Sequence, residues 1–167
     1  MLEIKIGNLT ILLAEPQTEL ATIKIMELIN DLSKSKTPTL LYEFNSRQYW
    51  ENLRLNEDNL NKSNIYIGQT CLLEDICDTA KLYYEQYGIK YLIVNGLTEI
   101  QTKKRYELGR SDILSIIVKQ LRKLAQEFKI SIIITGPTNI DDAVKNIDIL
   151  DIKTIKLNGV KKYQNEI

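Results

Sequence analysis

Between an apolar run, Leu9-Thr-Ile-Leu-Leu-Ala14, and a stretch of helical period from Thr18 to Leu32 lies the string Ala14-Glu-Pro-Gln-Thr-Glu-Leu-Ala-Thr22. A short loop leading from a strand into a helix is where stacked backbone N–H groups and the helix N-terminus can cradle a phosphate. Other chemistry is restricted by what the chain lacks. It contains no histidine, which excludes a His general base and a Ser-His-Asp triad. Its only cysteines, Cys71 and Cys77, cannot complete a four-ligand zinc site and read as ordinary, partly buried thiols, so no metal is expected. The cluster Lys103-Lys104-Arg105, with Arg110 nearby, could touch a nucleic-acid backbone, although a solvated charged loop explains it as simply. Tyr83, Tyr84 and Tyr87 could stack on bases, but their helical spacing suits packing or covering the surface.

The elements that must position these residues follow from periodicity. Short runs rich in Ile, Leu and Val alternate with longer segments of helical period, which predicts βαβ units and a mainly parallel sheet with helices on both faces, an α/β fold. After the first strand, Leu20, Ile23, Ile25, Met26, Leu28 and Ile29 give the first helix a broad apolar face. Thr39 to Glu43 is a second strand, and Ser46 can cap a helix over 47–55. A third strand covers Asn64 to Ile67, and a helix capped by Thr70 runs to Tyr87 and ends at Gly88. Tyr91 to Val94 is apolar without a break and should be central. A polar segment, Thr98 to Arg110, leads to the strongest helix, Ser111 to Phe128. Ser131 to Thr135 is a further buried strand, while Ile147 to Leu150 and Ile152 to Leu157 could add edge strands. The expected core includes Ile11, Leu13, Ile93, Val94, Ile117, Leu121, Ile132 and Ile134.

The 167 residues suffice for one domain, its last stretch being edge strands or a tail, and 44% hydrophobic with 26% charged residues is ordinary for a globular chain. Lys plus Arg balances Asp plus Glu at 22 each, so no long-range positive field steers nucleic acid to the surface. The N-terminus does not read as a signal peptide and no apolar run approaches the ~20 residues of a membrane span, so a cytoplasmic protein without membrane contact is expected.

Several of these strings, in order from about Gly7 to Asn139, resemble the C-terminal motor domain of DnaB-type replicative helicases, a RecA-like, P-loop NTPase-type fold. Ala14, Pro16 and Thr22 match the start and end of that family's phosphate loop. Tyr42-Glu43-Phe44-Asn45-Ser46 falls where the family has a strand ending in a catalytic glutamate, and Tyr91-Leu-Ile-Val-Asn95-Gly-Leu-Thr98 where it has its Walker B strand. Leu121-Arg-Lys-Leu-Ala125 resembles the pattern of its long helix, and Ile132 to Asn139 the strand that ends Ser-Gln-Leu-Asn.

The departures from that pattern bear on function. By the resemblance, Glu19, Leu20 and Ala21 replace the Gly-Lys-Thr that admits, holds and completes the Mg²⁺-triphosphate site. At an effective dielectric near 20, a like charge about 4 Å from a phosphate costs on the order of 4 kcal/mol, roughly a thousandfold in affinity. Asn95 replaces the Walker B aspartate, Phe44 takes the register of the catalytic glutamate, and Pro137 replaces the sensing glutamine. Glu43, one residue early, is expected on the opposite strand face. The resemblance thus implies a domain without cofactor that no longer hydrolyses ATP and serves as an interaction or regulatory protein. Its partner would be a helicase or another replication or mobile-element protein. Leu20 and Ala21 would pack as first-turn helix residues, keeping the domain stable without nucleotide. In the resembled helicases an N-terminal domain and linker helix help assemble a ring; neither is read here, so a hexamer is not presumed. Two other readings compete: a module binding single-stranded DNA through Lys103, Lys104, Arg105 and Arg110, and an NTPase using Glu43, Glu99 or Asp112.

Overall fold

The computed structural model describes residues 6–15, 19–44, 57–103, 110–145 and 153–157. Within them six strands form one sheet: β1 (Leu9–Ala14), β2 (Thr39–Glu43), β3 (Ile65–Ile67), β4 (Tyr91–Asn95), β5 (Ser131–Pro137) and β6 (Lys153–Lys156). Their order is β3-β2-β4-β5-β1-β6, and every pairing is parallel. The unbroken apolar runs predicted this, since a strand covered by helices on both faces needs no polar side. β4 lies inside the sheet, as its composition suggested.

Side-chain alternation divides the interior into two cores. Leu9, Ile11 and Leu13 of β1, Leu40 and Tyr42 of β2, Leu92 and Val94 of β4, and Ile132 and Ile134 of β5 face one way. They meet α3 (Leu73–Tyr87), α4 (Arg110–Phe128) and Val144 of α5 (Asp141–Lys145). Leu12, Leu41, Ile93 and Ile133 face the other way, against Ile25, Ile29 and Leu32 of α1 (Leu20–Lys34) and Leu60 of α2 (Glu57–Lys62). All of the expected core residues are buried, none more than 3% exposed. The apolar face of α1 is narrower than its sequence suggested: Ile23 and Met26 are exposed, because the stripe that meets the sheet runs through Ala21, Ile25, Ile29 and Leu32, three or four residues apart.

Helix ends follow their local chemistry. Gly88 closes α3 with φ 62, a left-handed cap that a Cβ would disfavour, and its N–H bonds the Tyr84 carbonyl at 2.9 Å. At the other end α3 begins at Leu73 rather than beside Thr70. The Thr70 hydroxyl accepts the Leu72 N–H at 3.2 Å, while Glu74 and Asp75 place negative charge in the first turn. On the outer edge, the Lys156 ammonium lies 2.7 Å from Asp141, which also holds Lys145 at 3.1 Å, so α5 fastens β6 to the sheet. Lys156 first, then Lys145, hold the Asp141 carboxyl below the ordinary carboxylate range. The helix expected over 47–55 with its Ser46 cap, and the strand at 147–150, lie outside the described residues. Among the described residues no helix is long and apolar enough to cross a membrane.

Both cysteines are free and partly buried. Burial pushes the Cys77 thiol up to about 11, outweighing the nearby Lys81 ammonium. From an ordinary value of 9.0, that shift leaves about a hundredfold less thiolate near pH 8. Cys77 is therefore expected to react with a disulfide reagent about a hundredfold more slowly in the folded chain than in urea. Mass mapping of the labelled cysteines over time checks this.

Candidate functional site

The carboxyl ends of β1, β4 and β5 and the first turn of α1 enclose a crevice of about 320 Å³. Ala14, Glu19, Leu20, Ala21, Thr22 and Pro137, all singled out by sequence, line it. Glu15, Gly136 and Thr135 line it too and were not singled out. A polar residue closing an Ile run, as Thr135 does, was the available signal.

The turn into α1 is unusual. Glu19 sits at the helix N-cap with φ 53 and ψ 9, a left-handed conformation that glycine adopts without strain. Its side chain makes no capping hydrogen bond. A backbone path suited to glycine thus persists under a glutamate. Glu19→Gly is expected to raise stability by about 0.5–1 kcal/mol, the relief of strain being partly offset by the freer unfolded chain. Urea denaturation of the two chains measures the difference. Behind Glu19, Ala21 is buried at 8% exposure, whereas Leu20 is half-buried and belongs to neither core. The packing expected of both residues is carried by Ala21.

Below the crevice lies a buried polar network. The ladder sets Glu43 opposite Asn95 and Asn95 opposite Thr135, all on the α1 side of the sheet. The Asn95 side-chain nitrogen donates to both Glu43 carboxylate oxygens, each at 2.8 Å, and to the Thr22 hydroxyl at 3.1 Å. The Thr135 hydroxyl donates to the Asn95 oxygen at 2.6 Å. Glu43 and Asn95 are buried at 5% and 0% exposure. The network therefore ties β2, β4 and β5 to the first turn of α1.

The expectation that Glu43 points away from this site is corrected here. Strand parity puts Tyr42 and Phe44 on the α3 side, their ring centroids 6.1 Å apart, and so puts Glu43 on the α1 side with Asn95. Phe44 is accordingly packed against the core on the α3 side, outside the crevice, while Glu43 lies on the α1 side with Asn95.

The basic cluster starts beside the first turn of α3. The Leu73 N–H bonds the Gln101 carbonyl at 2.7 Å and the Gln101 N–H bonds the Cys71 carbonyl at 2.8 Å. Glu74 accepts the Thr102 hydroxyl at 2.6 Å and the Lys103 N–H at 3.3 Å. Burial works to raise the Glu74 carboxyl, but the Thr102 bond and the backbone N–H bonds hold it below the usual range. Lys103 is exposed; Pro16, Lys104 and Arg105 lie outside the described residues, and Arg110 opens α4. The tyrosines pack on neighbouring rings, although Tyr84 and Tyr87 stay exposed on one side. Tyr66 stacks on Tyr87 with centroids 4.5 Å apart, Tyr83 meets both edge-on, and Tyr84 meets Phe128. Among the described residues no three His, Cys, Asp or Glu stand together as metal ligands.

The sequence model of the DnaB-like helicase C-terminal domain matches residues 12–139, from within β1 to the turn after β5. The chain belongs to that family. Its fold is also that of a solved DnaB-like replicative helicase, described together with its interactions with primase, at a TM-score of 0.65 and 15% identity. That match covers 80% of this chain and 40% of the helicase chain, so the DnaB-like domain spans less than half of its relative's length. No curated protein sequence matches it. The parallel sheet with helices on both faces is thus the RecA-like domain of a replication helicase family, with the crevice at its strand ends.

Proposed function

We propose that this DnaB-like domain works without binding or hydrolysing ATP, as an interaction or regulatory protein of DNA replication. One observation carries the reading: the centre beneath the crevice is closed by its own side chains, with the Asn95 amide shared among Glu43, Thr22 and Thr135. A metal site needs free lone pairs, whereas here the Asn95 nitrogen turns its hydrogens to Glu43 and the Asn95 oxygen accepts the Thr135 hydroxyl. Above it, Glu15 and Glu19 are exposed at the mouth, and among the described lining residues there is no lysine or arginine. These residues do not fit a Mg²⁺-triphosphate. The family and the relative described with primase support a partner from the replication machinery.

The test is calorimetry and thermal melting with millimolar ATP and Mg²⁺. No heat and an unchanged melting temperature are expected. A ligand at 100 times its dissociation constant would add about 2.7 kcal/mol, so a clear rise would refute the reading. A second reading, contact with single-stranded DNA, is favoured by the Glu74 clasp that fixes the start of the basic segment. It requires salt-dependent retention of single strands that Lys103→Glu weakens.

A further inference from the structure

Asn95 is followed by Gly96, and the fold demands that glycine. Gly96 has φ 128, a region that a Cβ disfavours, where the chain leaves β4 to enter the short 3-10 turn Leu97–Glu99. An asparagine before glycine is open to attack by its own backbone, because the following residue has no side chain to shield its amide nitrogen. We propose that Asn95–Gly96 is a self-modification site whose reaction is gated by the buried network. The Gly96 nitrogen forms a bond to Cγ of Asn95 and gives up its proton, and the Asn95 side-chain nitrogen leaves as ammonia. Water then opens the resulting five-membered imide at either carbonyl, leaving aspartate or isoaspartate at position 95.

In the folded domain this reaction is held off. Asn95 is fully buried and pinned by the bonds from its nitrogen to Glu43 and Thr22 and by the Thr135 hydroxyl on its oxygen. Its backbone is held on both sides by β2 and β5, and its carbonyl accepts the Phe44 N–H at 2.9 Å. Cγ cannot swing toward the Gly96 nitrogen until the end of β4 opens. Once the reaction has occurred, reclosure would set an aspartate against the Glu43 carboxylate, and like charges at that spacing oppose it. The site therefore marks chains that have opened and hinders their return to the fold.

The experiment incubates the full chain at mildly alkaline pH, folded and in urea, and follows aspartate and isoaspartate at position 95 by peptide mass mapping. A second Asn-Gly pair, Asn158–Gly159, gives the reference rate in urea. Conversion at 95 is expected to match that reference in urea and to be more than about tenfold slower in the folded chain. Thr135→Val, which removes the donor to the Asn95 oxygen, should fall between. Equal rates folded and in urea, no conversion at 95 in urea, or a folded Thr135→Val chain no faster than the parent would each overturn the proposal. Should Thr135→Val fail to fold, the comparison on the parent chain decides by itself.

Discussion

Asn95→Asp is expected to lower stability at neutral pH by about 3–5 kcal/mol, the range for leaving a buried charge without compensation. The native amide donates to both Glu43 oxygens at 2.8 Å, and an aspartate there presents only acceptors to acceptors. Two carboxylates so placed hold one proton to higher pH than either would alone. Because that raises a carboxyl pKa in the folded state above its unfolded value, the penalty is small below about pH 4 and grows as pH rises toward neutrality. Urea titrations of parent and variant at pH 4 and 7 measure the difference. A variant as stable as the parent at neutral pH would mean that Glu43 does not face this residue.

Gly68→Ala should cost about 2–3 kcal/mol although it adds one methyl group. The Gly68 N–H bonds the Leu41 carbonyl at 2.8 Å, which draws the chain after β3 across the Tyr42 ring, and a Cβ there would fall within that ring. Tyr42 has nowhere to turn: it is fully buried in the core beneath α3, and burial pushes its phenol up to about 12. That contribution to stability is present below about pH 10 and is lost as pH rises toward 12. A lower urea midpoint, with a Tyr42 phenol that ionises closer to pH 10, is the expected result; an unchanged midpoint would show that the ring can shift freely.

The sheet was legible because parallel strands buried on both faces are apolar through their middles, as Ile132 to Ile134 and Leu92 to Val94 are. The same uniformity hid the face of Glu43. With Leu40, Leu41 and Tyr42 all apolar, alternation marks no inside and no outside, and nothing in residue type told which face Glu43 takes. Parity would have shown it, since the aromatic pair Tyr42 and Phe44 leaves Glu43 on the side of Leu41. Glu19 was illegible for another reason. Glutamate does not announce positive φ, so a glycine-like backbone beneath it is invisible to residue type. Thr135 carried a sequence signal, a polar residue closing an Ile run, but only the register that sets it beside Asn95 gives that signal a meaning.

The position of β1 in the sheet also sets an order of events during synthesis. The first strand is the fifth across, and its partners are β5 and β6, with Leu9 opposite Ile132 and Thr10 opposite Lys153. Both edges of β1 stay unpaired until β5 and β6 have left the ribosome, and such long-range parallel closure is slow. β2, β3 and β4 can pair among themselves well before then. The nascent chain therefore carries an open, apolar Leu9-Thr-Ile-Leu-Leu-Ala14 segment until β5 emerges, a stretch that a chaperone could hold.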